Sequence, residues 1–129
     1  MKNIIVVTGG AGFVGSNLIS LMIKKTKYKV LSIDNYSSGT IKNHIKNKRI
    51  QYIKDDTKNI SKILKYKKKN VKTIFHFGEF SRIYQSFLKM NECIESNSVG
   101  SHAVFNFCLN NNIKLIYSVT SANLGNKGN

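Results

Sequence analysis

The chain has 129 residues, 41% of them apolar, and a formal charge of +15 from 21 basic and 6 acidic side chains. That length suits one domain with a modest core, and no apolar run approaches the roughly 20 residues a membrane span needs. The lysines are scattered among asparagines and isoleucines, the residues AT-rich codons encode, so genome composition accounts for the charge and no nucleic-acid partner is expected.

The chain begins with a short β-branched run, Ile4 to Val7, which reads as a buried parallel strand. No room for a signal peptide precedes it, which predicts a cytoplasmic protein. Next come Thr8-Gly9-Gly10-Ala11-Gly12-Phe13-Val14-Gly15 and a helix over Ser16 to Lys25, where Val14, Leu18, Leu21 and Met22 recur at helical spacing. Strand, glycine turn and helix form the context that gives a glycine cluster meaning. Such a turn lets a pyrophosphate approach the backbone, and the helix N-terminus offers it unpaired N–H groups.

The next segments alternate strand and helix. Tyr28 to Asp34 reads as strand two, followed by a turn-rich loop to Thr40 and a short helix within Ile41 to Asn47. Strand three is Ile50 to Ile53, before the polar loop Lys54-Asp55-Asp56-Thr57. A helix over Asn59 to Lys68 carries Ile60, Ile63 and Leu64 on its apolar side, and the basic run from Lys65 to Lys69 suits its C-terminal end. Strand four is Val71 to Phe77, then come helices over Arg82 to Leu88 and Glu92 to Asn110. After the turn signal Asn110-Asn111-Asn112, Ile113 to Ser118 reads as strand five. This alternation predicts an α/β fold, a doubly wound parallel sheet of order 3-2-1-4-5, with residues 1–129 as one domain.

Cys93 and Cys108 fall on the last helix. Fifteen residues at 1.5 Å each put them roughly 22 Å apart, so they read as core thiols rather than a disulfide. His44, His76 and His102 show no ligand spacing, and no metal site is expected.

Two glycine templates fit the first turn. Gly10, Gly12 and Gly15 satisfy G-x-G-x-x-G, while Thr8 with Gly9, Gly12 and Gly15 satisfies T-G-x-x-G-x-x-G. The second resembles the extended short-chain dehydrogenase/reductase family, the nucleotide-sugar epimerases and dehydratases, whose turn commonly reads TGGAGF-[IV]-G. The resemblance runs along nearly the whole chain. Asp34-Asn35 matches the acid and amide after strand two, where a carboxylate accepts from the adenosine ribose and repels a 2′-phosphate, so NAD is expected rather than NADP. Asp56-Thr57 falls where the family has an acid beside the adenine, with Asp55 as the alternative partner. Phe77-Gly78-Glu79, after His76, resembles the turn that closes strand four against the cofactor, although Glu79 stands where Ala or Gly is usual. His76 itself reads as a structural residue at a strand end.

Asn97-Ser98-Val99-Gly100-Ser101 matches Asn-x-x-Gly-[ST]. Its Asn97 either helps hold the cofactor side of the site or ties a core amide to neighbouring backbone, and both roles can coexist. Cys93, Asn97, Gly100, Val104 and Cys108 fall on one face by the helical period. Tyr117 to Ala122 resembles the family's aromatic-Ser-Ser-[ST]-Ala stretch. Counting back from Gly125 puts Thr120 on the catalytic Ser/Thr, with Val119 and Asn123-Leu124 as departures.

The resemblance therefore implies cofactor contacts at Gly9, Gly12, Phe13, Val14, Asp34, Asn35, Asp56, Thr57, Phe77, Gly78 and Asn97, and a catalytic role for Thr120. It implies bound NAD, a nucleotide-sugar substrate and transient hydride transfer between the two; whether the chain forms a homodimer stays open. The family's base is a Tyr-x-x-x-Lys pair, and none of the six tyrosines here has a lysine four residues later. The chain thus reads as the N-terminal, NAD-binding part of such an enzyme, truncated before the last strands and the substrate lobe. The rival reading is a non-catalytic dinucleotide-binding sensor or interaction protein on the same fold.

Overall fold

The computed structural model describes residues 1–120 and Gly125. Its core is a five-stranded parallel sheet of order β3-β2-β1-β4-β5, formed by β1 (Ile4–Thr8), β2 (Lys29–Asp34), β3 (Ile50–Lys54), β4 (Val71–His76) and β5 (Lys114–Tyr117). β1 lies at the centre, paired with β2 on one side and β4 on the other. The doubly wound order expected from the alternating elements is the observed one.

Alternation along the strands sends apolar side chains to both faces. Ile5, Val7 and Val30 pack with Ile19 and half-buried Leu18 and Met22 of α1 (Phe13–Lys25) on one face. Val6, Leu31, Ile33 and Ile74 pack on the other with Ile60, Leu64, Val104, Phe107 and Cys108. At about 25 cal/mol per Å² of apolar area removed from water, these two layers are the main stabilising term. Arg49, just before β3, donates through its guanidinium to the carbonyls of Ile23 and Thr26, giving partners to backbone left open where α1 ends.

Three helical expectations are corrected. The segment Asn59 to Lys68 is not one helix: α2 covers only Ile60–Ile63, between 3₁₀ turns at Thr57–Asn59 and Lys68–Asn70. Its apolar residues suffice for one turn against the sheet, and the lysine run that follows has nothing to bury. The short helix within Ile41 to Asn47 is a 3₁₀ turn at Ile41–Asn43, capped by the Thr40 side chain.

The long helix starts earlier and is irregular. After α3 (Ile83–Leu88), α4 (Met90–Ile94) passes through a π-helical segment, Glu95–Gly100, into α5 (Ser101–Asn110). A π segment shifts the phase of the helical period. Gly100, Val104 and Cys108 are buried as the stripe requires, while Cys93 and Asn97 are half-buried. Burial pushes the Cys108 thiol up to about 11, as expected of a core thiol. The turn signal after α5 holds, with Asn112 in the left-handed region at φ 49. Among the described residues no helix is long and apolar enough to cross a membrane.

Candidate functional site

The carboxyl ends of β1, β2, β4 and β5 converge on one edge of the sheet, with the glycine turn after β1 at its centre. In a doubly wound sheet this is the edge where ligands bind. Each turn glycine meets a different neighbour. Gly9 has φ +70, and a Cβ there would lie 2.7 Å from the carbonyl carbon and oxygen of Phe77. At Gly15 a Cβ would stand 2.3 Å from the Gly9 oxygen. Gly10 sits on Ser32, whose buried hydroxyl has no hydrogen-bond partner among the described residues.

Gly12 differs from all three. Its backbone is extended, with φ −81 and ψ 177, and a Cβ would meet only the Gly9 oxygen, at 3.3 Å. Protein packing therefore excludes a Cβ at positions 9, 10 and 15, whereas at Gly12 a Cβ would meet one backbone oxygen in a tight contact and otherwise face open space among the described residues. Gly12 is also the N-cap of α1 and brings no capping side chain. The first N–H groups of the helix, beginning at exposed Phe13 and Val14, thus have no side-chain acceptor among the described residues, and with the helix dipole they favour an anion.

Asp34, at the end of β2, is nearly buried. One carboxylate oxygen accepts the Ala11 N–H at 2.9 Å and the other accepts the Tyr36 N–H at 2.8 Å. The residue therefore braces the glycine turn, a role its sequence position did not reveal. Each oxygen keeps a second lone pair, enough for a ribose diol. The loop after Asp34 is fastened to the same turn, since Thr40 N–H and the Asn43 side chain both donate to the Ala11 carbonyl. Asn43 was missed: an asparagine in a short polar segment carries no sign of so distant a partner.

The two acids after β3 separate by what they hold. Asp55 accepts from the Asp56 N–H and the Asn59 side chain, closing its own turn. Asp56 instead accepts from the Asn35 side chain at 2.8 Å, which joins the ends of β3 and β2. Thr57 packs against Gly78 and Gly100; a Cβ on Gly100 would stand 2.2 Å from its hydroxyl oxygen. That close approach explains a glycine on the buried stripe. Asn97 clasps the backbone of Phe80 from both sides, donating to its carbonyl at 2.8 Å and accepting its N–H at 2.6 Å. Of the two roles open to Asn97, the backbone tie is the one observed.

Behind the turn lies a chain of polar groups, buried from Thr8 to Ser101 and reaching the surface at Glu79 and Tyr117. Thr8 Oγ1 accepts the N–H groups of Phe77 at 3.1 Å and Gly78 at 3.0 Å, and lies 2.6 Å from His76 Nδ1. His76 Nε2 is 2.8 Å from Ser101 Oγ, which donates to Glu79 Oε1 at 2.5 Å. The Tyr117 hydroxyl donates to the same oxygen at 2.7 Å, and its ring stacks on His76. The hydrogen bond to Glu79 and, second, burial push the Tyr117 phenol up to about 12.

Burial holds His76 below its usual 6.5, against a weaker opposing pull from Glu79. A histidine whose folded value lies below its unfolded one takes up more protons when unfolded. Its contribution to stability is complete above about pH 6.5 and shrinks as the pH falls toward the folded value. Urea titrations from pH 8 to 5.5 should show a plateau and then a decline, with the decline weakened in His76→Asn. A wild-type profile flat across that range would contradict a neutral, buried His76.

Thr120 lies three residues beyond β5 and is exposed. Gly125, from which its position was counted, has φ +67, whereas Ser121 to Leu124 fall outside the described residues.

This glycine turn, with an acid on the neighbouring strand, has counterparts in known proteins. Residues 5–129 match the profile of the NAD dependent epimerase/dehydratase family. The chain belongs to that family. Among its relatives, the bifunctional protein GAL10 of Candida maltosa is 28% identical over 93% of this chain and 82% of that sequence. A UDP-N-acetylglucosamine 4-epimerase of Methanobrevibacter ruminantium, solved with UDP-N-acetylmuramic acid, is 34% identical with a TM-score of 0.82 over 100% of this chain and 42% of that one. The UDP-glucose 4-epimerase of Thermotoga maritima, solved with UDP-glucose, is 25% identical with a TM-score of 0.81 over 92% of this chain and 38% of that one. The chain thus spans about two fifths of these solved epimerases.

Proposed function

We propose that residues 1–129 form the NAD-binding domain of a nucleotide-sugar epimerase or dehydratase. The observation that carries this is the open space over Gly12 beside an uncapped helix N-terminus, in a turn whose other glycines are all required by packing. The α1 N–H groups with Gly9, Gly12, Phe13 and Val14 hold the pyrophosphate. The remaining lone pairs of Asp34 take the adenosine ribose, with Asn35 and Asp56-Thr57 on the adenine side. Phe77 and Gly78, fixed by Thr8, form the floor toward the other end, where Asn97 secures the loop at Phe80.

NAD bound there would supply a hydride acceptor for the sugar. Thr120, at the carboxyl edge of β5, passes a proton between a sugar hydroxyl and a base. The solved epimerases are more than twice as long as this chain, and in an enzyme of that length the substrate-binding residues and the base would come from the remaining part.

Calorimetric titration with NAD and NADP tests the assignment. NAD should bind at least ~10-fold more tightly, about 1.4 kcal/mol, because Asp34 accepts from the ribose hydroxyls and repels a 2′-phosphate. Asp34→Ala should weaken both ligands by loosening the turn, yet narrow their ratio, which isolates the ribose contact from the bracing role. Equal or tighter binding of NADP by the wild type would refute the proposed ribose contact.

A further inference from the structure

The chain of hydrogen bonds behind the turn has one consistent direction. Thr8 Oγ1 already accepts two N–H groups, from Phe77 and Gly78, which fills both its lone pairs. Its single proton must then go to His76 Nδ1, 2.6 Å away, so that nitrogen is the acceptor and Nε2 carries the ring proton. Nε2–H donates to Ser101 Oγ, whose own proton goes to Glu79 Oε1. Glu79 ends the chain as a carboxylate that only accepts, shared with the Tyr117 hydroxyl. These groups come from the ends of β1, β4 and β5 and the start of α5, and they fix the Phe77–Gly78 backbone against which Gly9 lies.

We propose that Glu79 is a positioning residue: by accepting the Ser101 proton it keeps that hydroxyl an acceptor toward Nε2, and so, with Thr8 at the other end, it holds His76 in its Nε2–H form and presets the Thr8–Phe77–Gly78 floor for the dinucleotide. Without an acceptor at position 79, the Ser101 hydroxyl is released to turn its proton toward Nε2, where it competes with the Thr8 proton for the one unprotonated ring nitrogen. Where Ser101 wins, His76 carries its proton on Nδ1 and points it at a Thr8 oxygen that has no lone pair left, so the Phe77 and Gly78 N–H bonds weaken. The link to the dinucleotide rests on the NAD-binding reading above; the effect on His76 does not.

Two measurements on the full 129-residue chain separate these parts. Nitrogen-15 NMR of the His76 ring reads the tautomer directly, and calorimetry reads NAD affinity. The wild type should show Nε2–H. Glu79→Ala should give a mixed or Nδ1–H ring and bind NAD at least ~10-fold more weakly, while Glu79→Gln, which keeps an acceptor oxygen, should restore both to near wild type. If Glu79→Ala does not fold, Glu79→Met, which keeps the side-chain length and offers no strong acceptor, makes the same comparison against Glu79→Gln. An unchanged tautomer in the variant without the acceptor overturns the proposal; so does a changed tautomer with wild-type NAD affinity. Absence of NAD binding in the wild type would instead refute the cofactor reading and leave the His76 result to stand by itself.

Discussion

Gly12→Val should fold like the wild type and lose NAD, while Gly15→Ala, a smaller change three residues away, should damage the fold itself. Gly12 has an extended backbone that β-branched residues adopt without strain, and its nearest obstacle to a Cβ is one carbonyl oxygen at 3.3 Å. The added side chain would occupy space proposed for the pyrophosphate, in front of the N–H groups meant for it. Affinity should fall by at least ~10²-fold, about 2.7 kcal/mol, with little change in Tm. At Gly15 the new carbon would stand 2.3 Å from the Gly9 oxygen and 2.7 Å from the Gly10 Cα. Both are backbone atoms within the turn, so α1 must move off β1. Overpacking of this kind costs ~3 kcal/mol or more, which lowers Tm by about 10 °C or more in a domain this size. Thermal melts and calorimetry on the two variants suffice. Wild-type NAD affinity in Gly12→Val would reduce the turn to a fold element, and an unaltered melt for Gly15→Ala would contradict the packing described.

The second large effect concerns Thr120. In a longer protein carrying these residues together with a Tyr-x-x-x-Lys pair, Thr120→Val should lower kcat by at least ~10²-fold, the lower range for proton-transfer catalysis. A hydroxyl both donates and accepts, while valine keeps the shape and does neither. NAD affinity should stay within about twofold, because the proposed cofactor contacts come from the other strand ends. Residues 1–129 by themselves, with no such pair among their six tyrosines, should turn over no nucleotide sugar. Measurable epimerisation by this chain alone would overturn the division of roles, as would an unimpaired Thr120→Val enzyme.

The order of elements was legible in the sequence because each strand is a short β-branched run and each connection is long enough for a crossover. Right-handed crossovers with a reversal after strand three then give the sheet order. The glycine turn was equally legible, since its spacing reflects local backbone demands. Helix lengths were less so: Asn59 to Lys68 has helical spacing, but only Ile60 and Leu64 find a buried place, and the helix ends where burial ends.

What the sequence could not separate was which glycine serves packing and which leaves room for a ligand. Position 12 stands apart from 9, 10 and 15 only once Phe77, Ser32 and the start of α1 are in place around the turn. The same holds for Asp56 and for Asn97, whose partners lie 21 and 17 residues away. It holds most of all for Glu79, a departure from the family pattern by sequence and the final acceptor of the Thr8–His76–Ser101 hydrogen-bond chain in the fold. Periodicity and turn chemistry act between neighbours in sequence, so they determined the sheet and its first turn; hydrogen-bond direction is set between strand ends, and the tertiary structure alone brings those together.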